Sequence, residues 1–312
     1  MTTPASAVSA GRRHRVSRRV TPYLFVAPFV TAFLLFLVAP IGVALVNGLY
    51  SRKSSGLGFG GSDVVFVGLK NYARAFQDTD FLASFGRVAL YSVTQVPLML
   101  VFAATLALLF DSKLVRGRRF FQFGVFLPYA VPTVIAALLW GFLYQPSVSP
   151  IVKGLASVGI HANFLGPDAV FWSVVNVSMW SLTGINMLIL YSALLAIPDE
   201  VYEAARLDGA NEIQIALRVK IPMIAPAVLL TTLSSVIGAL QLFNEPQILT
   251  SITSNINSKW TPNMAIFSES TLGQDAYLGS AMAVILGLAT LVASLVVLRL
   301  NKRVQGGNAD VF

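Results

Sequence analysis

The chain has 312 residues, of which 55% are hydrophobic and only 12% are charged. A soluble domain carries about twice that charged fraction, so the composition excludes an ordinary soluble globular protein and predicts an all-α polytopic membrane protein. The sequence contains no cysteine, which excludes disulfides, thiolate chemistry and iron–sulfur clusters.

Six long runs without Asp, Glu, Lys or Arg follow the basic N-terminus. A helix needs about 20 apolar residues to cross the hydrocarbon core, so each run predicts one transmembrane helix. The predicted spans are residues 20–51, 88–110, 120–152, 169–198, 221–244 and 276–298. The predicted domains are a basic tail (1–19), a six-helix transmembrane domain (20–303) and a C-terminal tail (304–312). The apolar run after the basic tail is too long for a signal peptide, whose apolar region has about 7–15 residues.

The distribution of Lys and Arg predicts the orientation of these spans. With the N-terminus in the cytoplasm, the inner segments hold 15 basic residues, namely Arg12, Arg13, Arg15, Arg18, Arg19, Lys113, Arg116, Arg118, Arg119, Arg206, Arg218, Lys220, Arg299, Lys302 and Arg303. The outer loops hold 7, namely Arg52, Lys53, Lys70, Arg74, Arg87, Lys153 and Lys259. We therefore expect both tails in the cytoplasm. The net charge of +8 indicates membrane topology and not a nucleic-acid partner.

The charged loop between the fourth and fifth spans, residues 199–222, is the most informative segment. Pro198 and the two acids after it are typical of a helix start. Gly209 is suited to the left-handed conformation that ends a helix, and Asn211 with Gln214 has capping-box spacing for a second helix. Isolated helices below about 12–15 residues are marginal in water. We interpret the loop as a helix–glycine–helix protrusion that another protein binds, although a plain connecting loop fits the same pattern.

Two further features of this loop bear on its shape. The small side chains of Ala204 and Ala205 allow a partner to approach the first helix closely. Pro222 disfavours a helical conformation at Ile221, so a bend into the fifth span is expected there.

The residues of this loop also resemble a known family. Glu203-Ala204-Ala205, Gly209 and Val219-Lys220-Ile221-Pro222 are similar to the EAA loop of ABC importer permeases. The surrounding pattern, Asp208-Gly209-Ala210 with Pro222 and Pro226, resembles the carbohydrate-uptake branch, which includes the maltose and glycerol-3-phosphate importers. Further segments that resemble this branch are residues 67–72, 116–121, 127–132 and 180–198.

The resemblance implies a bacterial inner-membrane permease subunit of a binding-protein-dependent carbohydrate importer, with the importer-type fold. Such a subunit is not an enzyme and binds no cofactor, since ATP and Mg belong to a partner ATPase. The implied partners are a second homologous permease, two ATPase subunits, an extracytoplasmic solute-binding protein and membrane lipid. The implied ATPase-docking residues are Glu203, Ala204, Ala205, Asp208, Gly209, Ala210 and Pro222.

The sequence departs from the family pattern in two places. Ala216 stands where the second short helix usually has Phe, which affects one expected docking contact. Residues 250–254 read Thr-Ser-Ile-Thr-Ser in place of the Thr-x-Gly-Gly-Pro often found after the fifth span. This second difference leaves the substrate unassigned.

Polar and aromatic side chains within the fourth and fifth spans are candidates for the substrate pathway. Ligand sites combine a few placed polar groups with aromatic walls, and these residues recur at helical spacing. The candidates are Asn176, Trp180, Asn186, Tyr191, Gln241, Asn244 and Glu245. Gln241 corresponds to a sugar-contacting position in the maltose relative, as the resemblance implies. The alternative is that these amide and small residues join helices together, and that Glu245 is solvated at the outer boundary.

Other functions lack the residues that they require. The sequence has no P-loop motif. The two histidines, His14 and His161, are expected on opposite sides of the membrane and so form no metal site. We find no catalytic set, which counts against a membrane enzyme. The expected absence of ionisable groups inside the spans counts against a secondary transporter that acts without an ATPase.

Overall fold

The computed structural model describes residues 13–54, 62–112 and 115–306. The first twelve residues of the predicted N-terminal tail, Lys113, and residues 307–312 of the predicted C-terminal tail lie outside the described residues.

The described residues are mostly helical. The α-helices are α1 Arg13–Phe33, α2 Ala39–Asn47, α3 Lys70–Gln77, α4 Thr79–Asp111, α5 Arg118–Phe126, α6 Thr133–Tyr144, α7 Pro150–Ser157, α8 Val170–Leu195, α9 Asp199–Leu207, α10 Glu212–Ile215, α11 Ile221–Met223, α12 Ala225–Leu240, α13 Asn244–Leu249, α14 Pro262–Phe267 and α15 Ala276–Gly306. One 3-10 turn lies at Leu127–Ala130, and π-helical turns lie at Leu34–Val38, Ala216–Lys220 and Ser268–Leu272. Two strands, β1 Tyr50–Ser54 and β2 Ser62–Phe66, form an antiparallel hairpin that pairs Tyr50 with Phe66.

Among the described residues, five helical segments are long and apolar enough to cross a membrane. They are Pro22–Asn47, Thr79–Asp111, Val170–Leu195, Ala225–Leu249 and Ala276–Arg299. A sixth candidate consists of Arg118–Ala130 and Thr133–Tyr144, which meet at an angle of 98°. The prediction of an all-α membrane protein with six spans is thus confirmed, with the third span broken.

The break in the third span follows from its two prolines. Pro128 lies in the 3-10 turn, and Val131 and Pro132 have extended backbone conformations, with ψ values of 125° and 135°. A proline cannot donate the backbone hydrogen bond that a continuous helix requires. The sequence predicted one span over residues 120–152 with two prolines that can kink it, and the structure has two short helices that meet at 98°.

Two other spans differ in length from the prediction. The second span begins nine residues early, at Thr79, because the side chain of Asp78 accepts hydrogen bonds from the backbone N–H groups of Asp80 and Phe81 and so caps the helix. The fifth continues to Leu249 and thereby includes Glu245. The prediction that the fifth span contains no ionisable residue is wrong.

The long helices α4 and α8 pack against each other and form the centre of the fold. Helix α12 packs on α4, α13 packs on α6, and α15 lies against α2 and α3. The core between α4, α8 and the start of the fifth span includes Ala103, Met187, Leu190 and Ile224, all fully or almost fully buried. The loop between α8 and α12 is therefore attached to the most tightly packed pair of helices.

Candidate functional site

The loop 199–222 folds as the sequence predicts, as two short helices joined at a glycine. Gly209 has φ of +83°, the left-handed conformation that favours glycine. The backbone N–H of Gln214 donates to Asn211 Oδ1 at 2.9 Å, and the backbone N–H of Asn211 donates to Gln214 Oε1 at 2.9 Å. These two bonds complete the predicted capping box and fix the start of α10.

The two faces of this loop differ in burial. Tyr202 of α9 and Ile215 of α10 are buried against the rest of the chain. Three aliphatic side chains point outward, with Leu207 89%, Ile213 71% and Leu217 58% exposed. These three aliphatic side chains are covered by no other part of the described chain and are open to contact from outside.

The predicted docking residues lie on the open part of this protrusion. Glu203, Ala204, Asp208, Gly209 and Pro222 are exposed. Ala205 and Ala210 are half-buried. A Cβ atom added at Gly209 would meet nothing within 4 Å in this chain. The loop therefore leaves room for another protein at its glycine turn.

The bend into the fifth span lies three residues later than the sequence predicts. Ile221 is helical, with φ of −59° and ψ of −48°, and the prediction of a non-helical Ile221 is wrong. The chain leaves helical geometry at Ile224, where ψ is 7°. Pro222 lies in the first turn of the helical segment Ile221–Met223, directly after the π-helical turn, and a proline is tolerated in a first turn.

A cavity of about 380 Å³ lies beside the first turns of α8. Its aromatic walls include Trp140, Tyr144, Phe164 and Trp172. Asn176 also lines it, and its Nδ2 donates to the Tyr144 hydroxyl at 2.8 Å. The Tyr144 hydroxyl in turn donates to the backbone carbonyl oxygen of Ser173 at 3.1 Å. The cavity thus combines aromatic rings with one placed amide.

The other candidates on α8 are engaged in helix packing. Trp180 is half-buried and contacts Trp140 edge to face, with ring centroids 6.0 Å apart. Asn186 is buried and donates to the backbone carbonyl oxygen of Leu182 at 2.9 Å. Tyr191 is buried in the core that α8 shares with α4. The structure therefore separates Asn176, which lines a cavity, from the candidates nearer the charged loop.

The candidates of the fifth span lie where its helix is interrupted. Gln241 is exposed and lines an open cavity of about 510 Å³. Asn263 lines the same cavity, and its Nδ2 donates to the Gln241 backbone carbonyl oxygen at 2.8 Å. Asn244 is exposed, and its Nδ2 donates to Thr133 Oγ1 at 3.1 Å. The surface of this second cavity is more polar than that of the aromatic one.

Glu245 is buried, which contradicts the alternative that its side chain is simply solvated at the membrane boundary. Its Oε1 accepts a long hydrogen bond of 3.4 Å from Ser178 Oγ of α8. The side chain therefore connects the fifth span to α8.

Several polar and aromatic residues that line these cavities were not predicted from the sequence, namely Trp140, Tyr144, Trp172 and Asn263. Thr133, the hydrogen-bond partner of Asn244, was not predicted either. The spacing of Trp140 and Tyr144, four residues apart on one helix, was a signal for a shared face. Within the described ranges, no group of three or more His, Cys, Asp or Glu side chains is arranged to hold a metal ion.

Comparisons with known proteins agree with this architecture. Residues 99–306 match the family model described as binding-protein-dependent transport system inner membrane component. The chain is 33% identical over 290 residues, covering 90% of this chain and 94% of the relative, to the sn-glycerol-3-phosphate transport system permease protein UgpA of Escherichia coli O6:K15:H31. It is 28% identical to the arabinooligosaccharides transport system permease protein AraP of Halalkalibacterium halodurans, over 94% of this chain and 91% of the relative.

A solved structure shows the same fold. It is the bacterial alginate ABC transporter in complex with alginate pentasaccharide-bound periplasmic protein, with a TM-score of 0.77, 19% identity and coverage of 94% of this chain and 98% of that chain. The curated relatives are permease proteins, which confirms that the chain is a transport subunit and not an enzyme. The chain belongs to the family of binding-protein-dependent transport system inner membrane components and is a multi-pass inner-membrane permease of an ABC importer.

Proposed function

We propose that this permease subunit imports a carbohydrate and that the loop 199–222 docks a cytoplasmic ATPase. The observation that carries the docking proposal is the helix–glycine–helix protrusion with Leu207, Ile213 and Leu217 exposed around an open glycine turn. An amphipathic helix is commonly bound in a groove of its partner through such aliphatic side chains.

The chemistry of the cavities supports a carbohydrate substrate. Sugars present C–H faces to aromatic rings and hydroxyl groups to amides. Trp140, Trp172 and Asn176 supply this combination in one cavity, and Gln241 with Asn263 supplies amides in the other. Two of the proteins that this chain resembles are named for arabinooligosaccharide transport and for alginate import.

The proposed assembly is a four-part permease and ATPase core with an external binding protein. This chain forms half of the translocation pathway, and a second, similar permease forms the other half. Two ATPase subunits bind ATP and Mg on the cytoplasmic side, and a solute-binding protein delivers the sugar from outside. Both tails of the chain lie in the cytoplasm, as the excess of inner Lys and Arg indicates.

Site-specific cross-linking tests the docking proposal. Because the chain has no native cysteine, Leu207→Cys introduces a single reactive thiol at the most exposed aliphatic position of the loop. In membranes that contain the complete transporter, a thiol-reactive photo-cross-linker at this position is expected to capture the ATPase subunit, and mass spectrometry identifies the product.

Val158→Cys is the matched control, since Val158 is an exposed aliphatic residue between α7 and α8, on the proposed outer side. This variant is expected to capture no ATPase. Equal capture of the ATPase from both positions, or capture from neither, would contradict the docking proposal.

Sugar binding is tested separately. The solute-binding protein that co-purifies with the tagged chain is screened against arabinooligosaccharides, alginate oligosaccharides and sn-glycerol-3-phosphate. Selective binding of an oligosaccharide supports the carbohydrate proposal. Binding of none of the sugars, together with binding of a non-carbohydrate solute, contradicts it and leaves the docking proposal intact.

A further inference from the structure

We propose that Asp111, Lys220 and Tyr202 form a link that transmits movement of the loop 199–222 into α4. The inference rests on the proposed docking of an ATPase to this loop. It goes further by naming the residues that couple the loop to the membrane helices.

The centre of this link is an ion pair at the base of the loop. Lys220 Nζ donates to Asp111 Oδ2, and the two side chains are only 11% and 12% exposed. Asp111 is the last residue of α4, and Lys220 ends the π-helical turn Ala216–Lys220. The pair therefore joins the second half of the loop to the end of a long helix 109 residues earlier in the chain.

The first half of the loop joins the same point through an aromatic ring. Lys220 Nζ lies 4.7 Å from the centroid of the Tyr202 ring, which belongs to α9. A cation above a ring face at this distance is attracted by the ring electrons. Burial, and then the negative charges of Asp111 and Asp199, raise the pKa of Tyr202, so the ring stays neutral at physiological pH.

The Tyr202 hydroxyl group contributes little to this contact. It is buried, and within the described ranges it has no hydrogen-bond partner. The ring is therefore the part of Tyr202 that acts in the cluster, and the hydroxyl group is dispensable for it.

The cluster of Asp111, Lys220 and Tyr202 lies where it can transmit movement of the loop to α4. One ammonium group contacts both α9 and α4, so the two halves of the loop and the end of α4 are held at a single point. Helix α4 then packs along α8, which carries Asn176 at the aromatic cavity. The loop's other ion pair, Arg206 with Glu212, has side chains 49% and 70% exposed and joins only α9 to α10.

A paired neutral variant tests the link in the intact transporter. Asp111→Asn combined with Lys220→Gln removes both charges and leaves no single buried charge, which would by itself be strongly destabilising. In proteoliposomes with the co-purified ATPase, partner permease and binding protein, we measure how strongly the binding protein stimulates ATP hydrolysis. The expected loss of stimulation is about fivefold or more, the factor for a coupling between contacting residues of about 1 kcal/mol.

Three further variants separate transmission from simple stability. The exchanged pair Asp111→Lys with Lys220→Asp is expected to restore stimulation. Tyr202→Phe keeps the ring and is expected to behave as the wild type, whereas Tyr202→Leu loses stimulation. Failure of the exchanged pair to exceed the neutral variant, or equal loss from Tyr202→Phe and Tyr202→Leu, contradicts the link.

A distance measurement gives an independent readout. Spin labels at Leu207→Cys and Leu109→Cys, both exposed positions, report the separation of the loop from the end of α4. During ATP turnover the wild-type distribution is expected to stay narrow and that of the neutral variant to broaden. Distance distributions of equal width in the wild type and the neutral variant contradict the link. If the ATPase still co-purifies in that case, the docking proposal stands and only the link fails.

Discussion

Lys259 Nζ lies 2.8 Å from Asp78 Oδ2, across 181 residues of chain, and also 2.7 Å from Glu269 Oε1. One ammonium group thus joins the residue before α4, the loop before α14, and the π-helical turn Ser268–Leu272. Arg87 extends this connection, because its guanidinium donates to the backbone carbonyl oxygen of Trp260 at 2.6 Å. This cluster lies at the opposite end of α4 from Asp111.

The Asp78–Lys259 pair predicts that stability falls at both extremes of pH. Burial raises the pKa of Asp78, but hydrogen bonds from Lys259 and from the backbone lower it more, and the net pKa is lowered. The stabilisation that the charged Asp78 gives the folded protein is present above the unfolded-state pKa of about 3.9. It is lost as the pH falls through the lower folded-state pKa.

The basic limb comes from Lys259. Burial lowers the pKa of Lys259, but its bonds to Asp78 and Glu269 raise it overall. The stabilisation that the charged Lys259 gives the folded protein is present below the unfolded-state pKa of about 10.4. It is lost as the pH rises through the raised folded-state pKa.

Asp78→Asn tests the loss of stability at low pH. The substitution removes the titrating carboxylate, while asparagine caps a helix as well as aspartate does. Thermal unfolding of the purified protein between about pH 2 and 7 is expected to depend less on pH in this variant than in the wild type. Asp168→Asn, which removes an exposed carboxylate, serves as the control and is expected to leave the curve unchanged. Equal pH dependence in Asp78→Asn and the wild type would contradict the role of the pair.

The packing of α8 against α5 predicts a second effect on stability. A Cβ atom added at Gly184 would overlap the backbone carbonyl oxygen of Val125 and lie 2.8 Å from Phe126 Cα. Because these are backbone atoms that cannot rotate away, Gly184→Ala is expected to destabilise the protein by about 1–3 kcal/mol. The midpoint of thermal unfolding in detergent measures this change.

Gly287→Ala provides the matched control, since a Cβ atom at Gly287 in α15 would meet nothing within 4 Å. Alanine in a helix interior is favoured over glycine by about 0.5–1 kcal/mol, so this variant is expected to be slightly stabilised. An unfolding midpoint for Gly184→Ala at or above that of Gly287→Ala would show that α5 moves aside.

Local patterns in the sequence predicted the local structure well. The capping box of Asn211 and Gln214 and the left-handed Gly209 depend on residues within a few positions of one another, so their spacing is sufficient evidence. The six spans follow from long apolar runs in the same way. Pro128 and Pro132 are residues that can kink a helix, but no local pattern in the sequence gives the size of the bend, which is 98°.

Contacts between distant segments could not be predicted from the sequence. Glu245 is the first charged residue beyond the predicted fifth span, and it is buried with its side chain bonded to Ser178 of α8. The pairing of Asp111 with Lys220 likewise requires knowing that α4 ends beside the loop. The aromatic cavity was missed because three separate elements supply Trp140, Phe164 and Trp172.

The open glycine turn predicts a charge-specific effect on coupling. Gly209→Asp and Gly209→Asn place side chains of nearly equal size at a left-handed position that both residue types tolerate. If an ATPase groove covers this turn, only the aspartate buries an additional unpaired charge, which is costly. We expect Gly209→Asp to lower transport by about tenfold or more at a normal level of membrane insertion, and Gly209→Asn to retain most activity. Unchanged uptake by Gly209→Asp would contradict docking at the turn.

The amides at the interruption of the fifth span predict a loss of uptake without a loss of assembly. Gln241 lines the more polar cavity, and Asn244 bonds to Thr133 of the broken third span. Gln241→Ala and Asn244→Ala each remove one amide group from an exposed side chain, so the fold is expected to tolerate them. A lost hydrogen bond to substrate of about 1 kcal/mol lowers uptake about fivefold.

Gln77→Ala, which removes an exposed amide at the end of α3, controls for non-specific effects. Uptake is measured with the sugar that the binding protein selects, and the amount of co-purified ATPase is measured in the same membranes. Wild-type uptake by both variants would place the sugar elsewhere, and the aromatic cavity at Asn176 would then be the position to test.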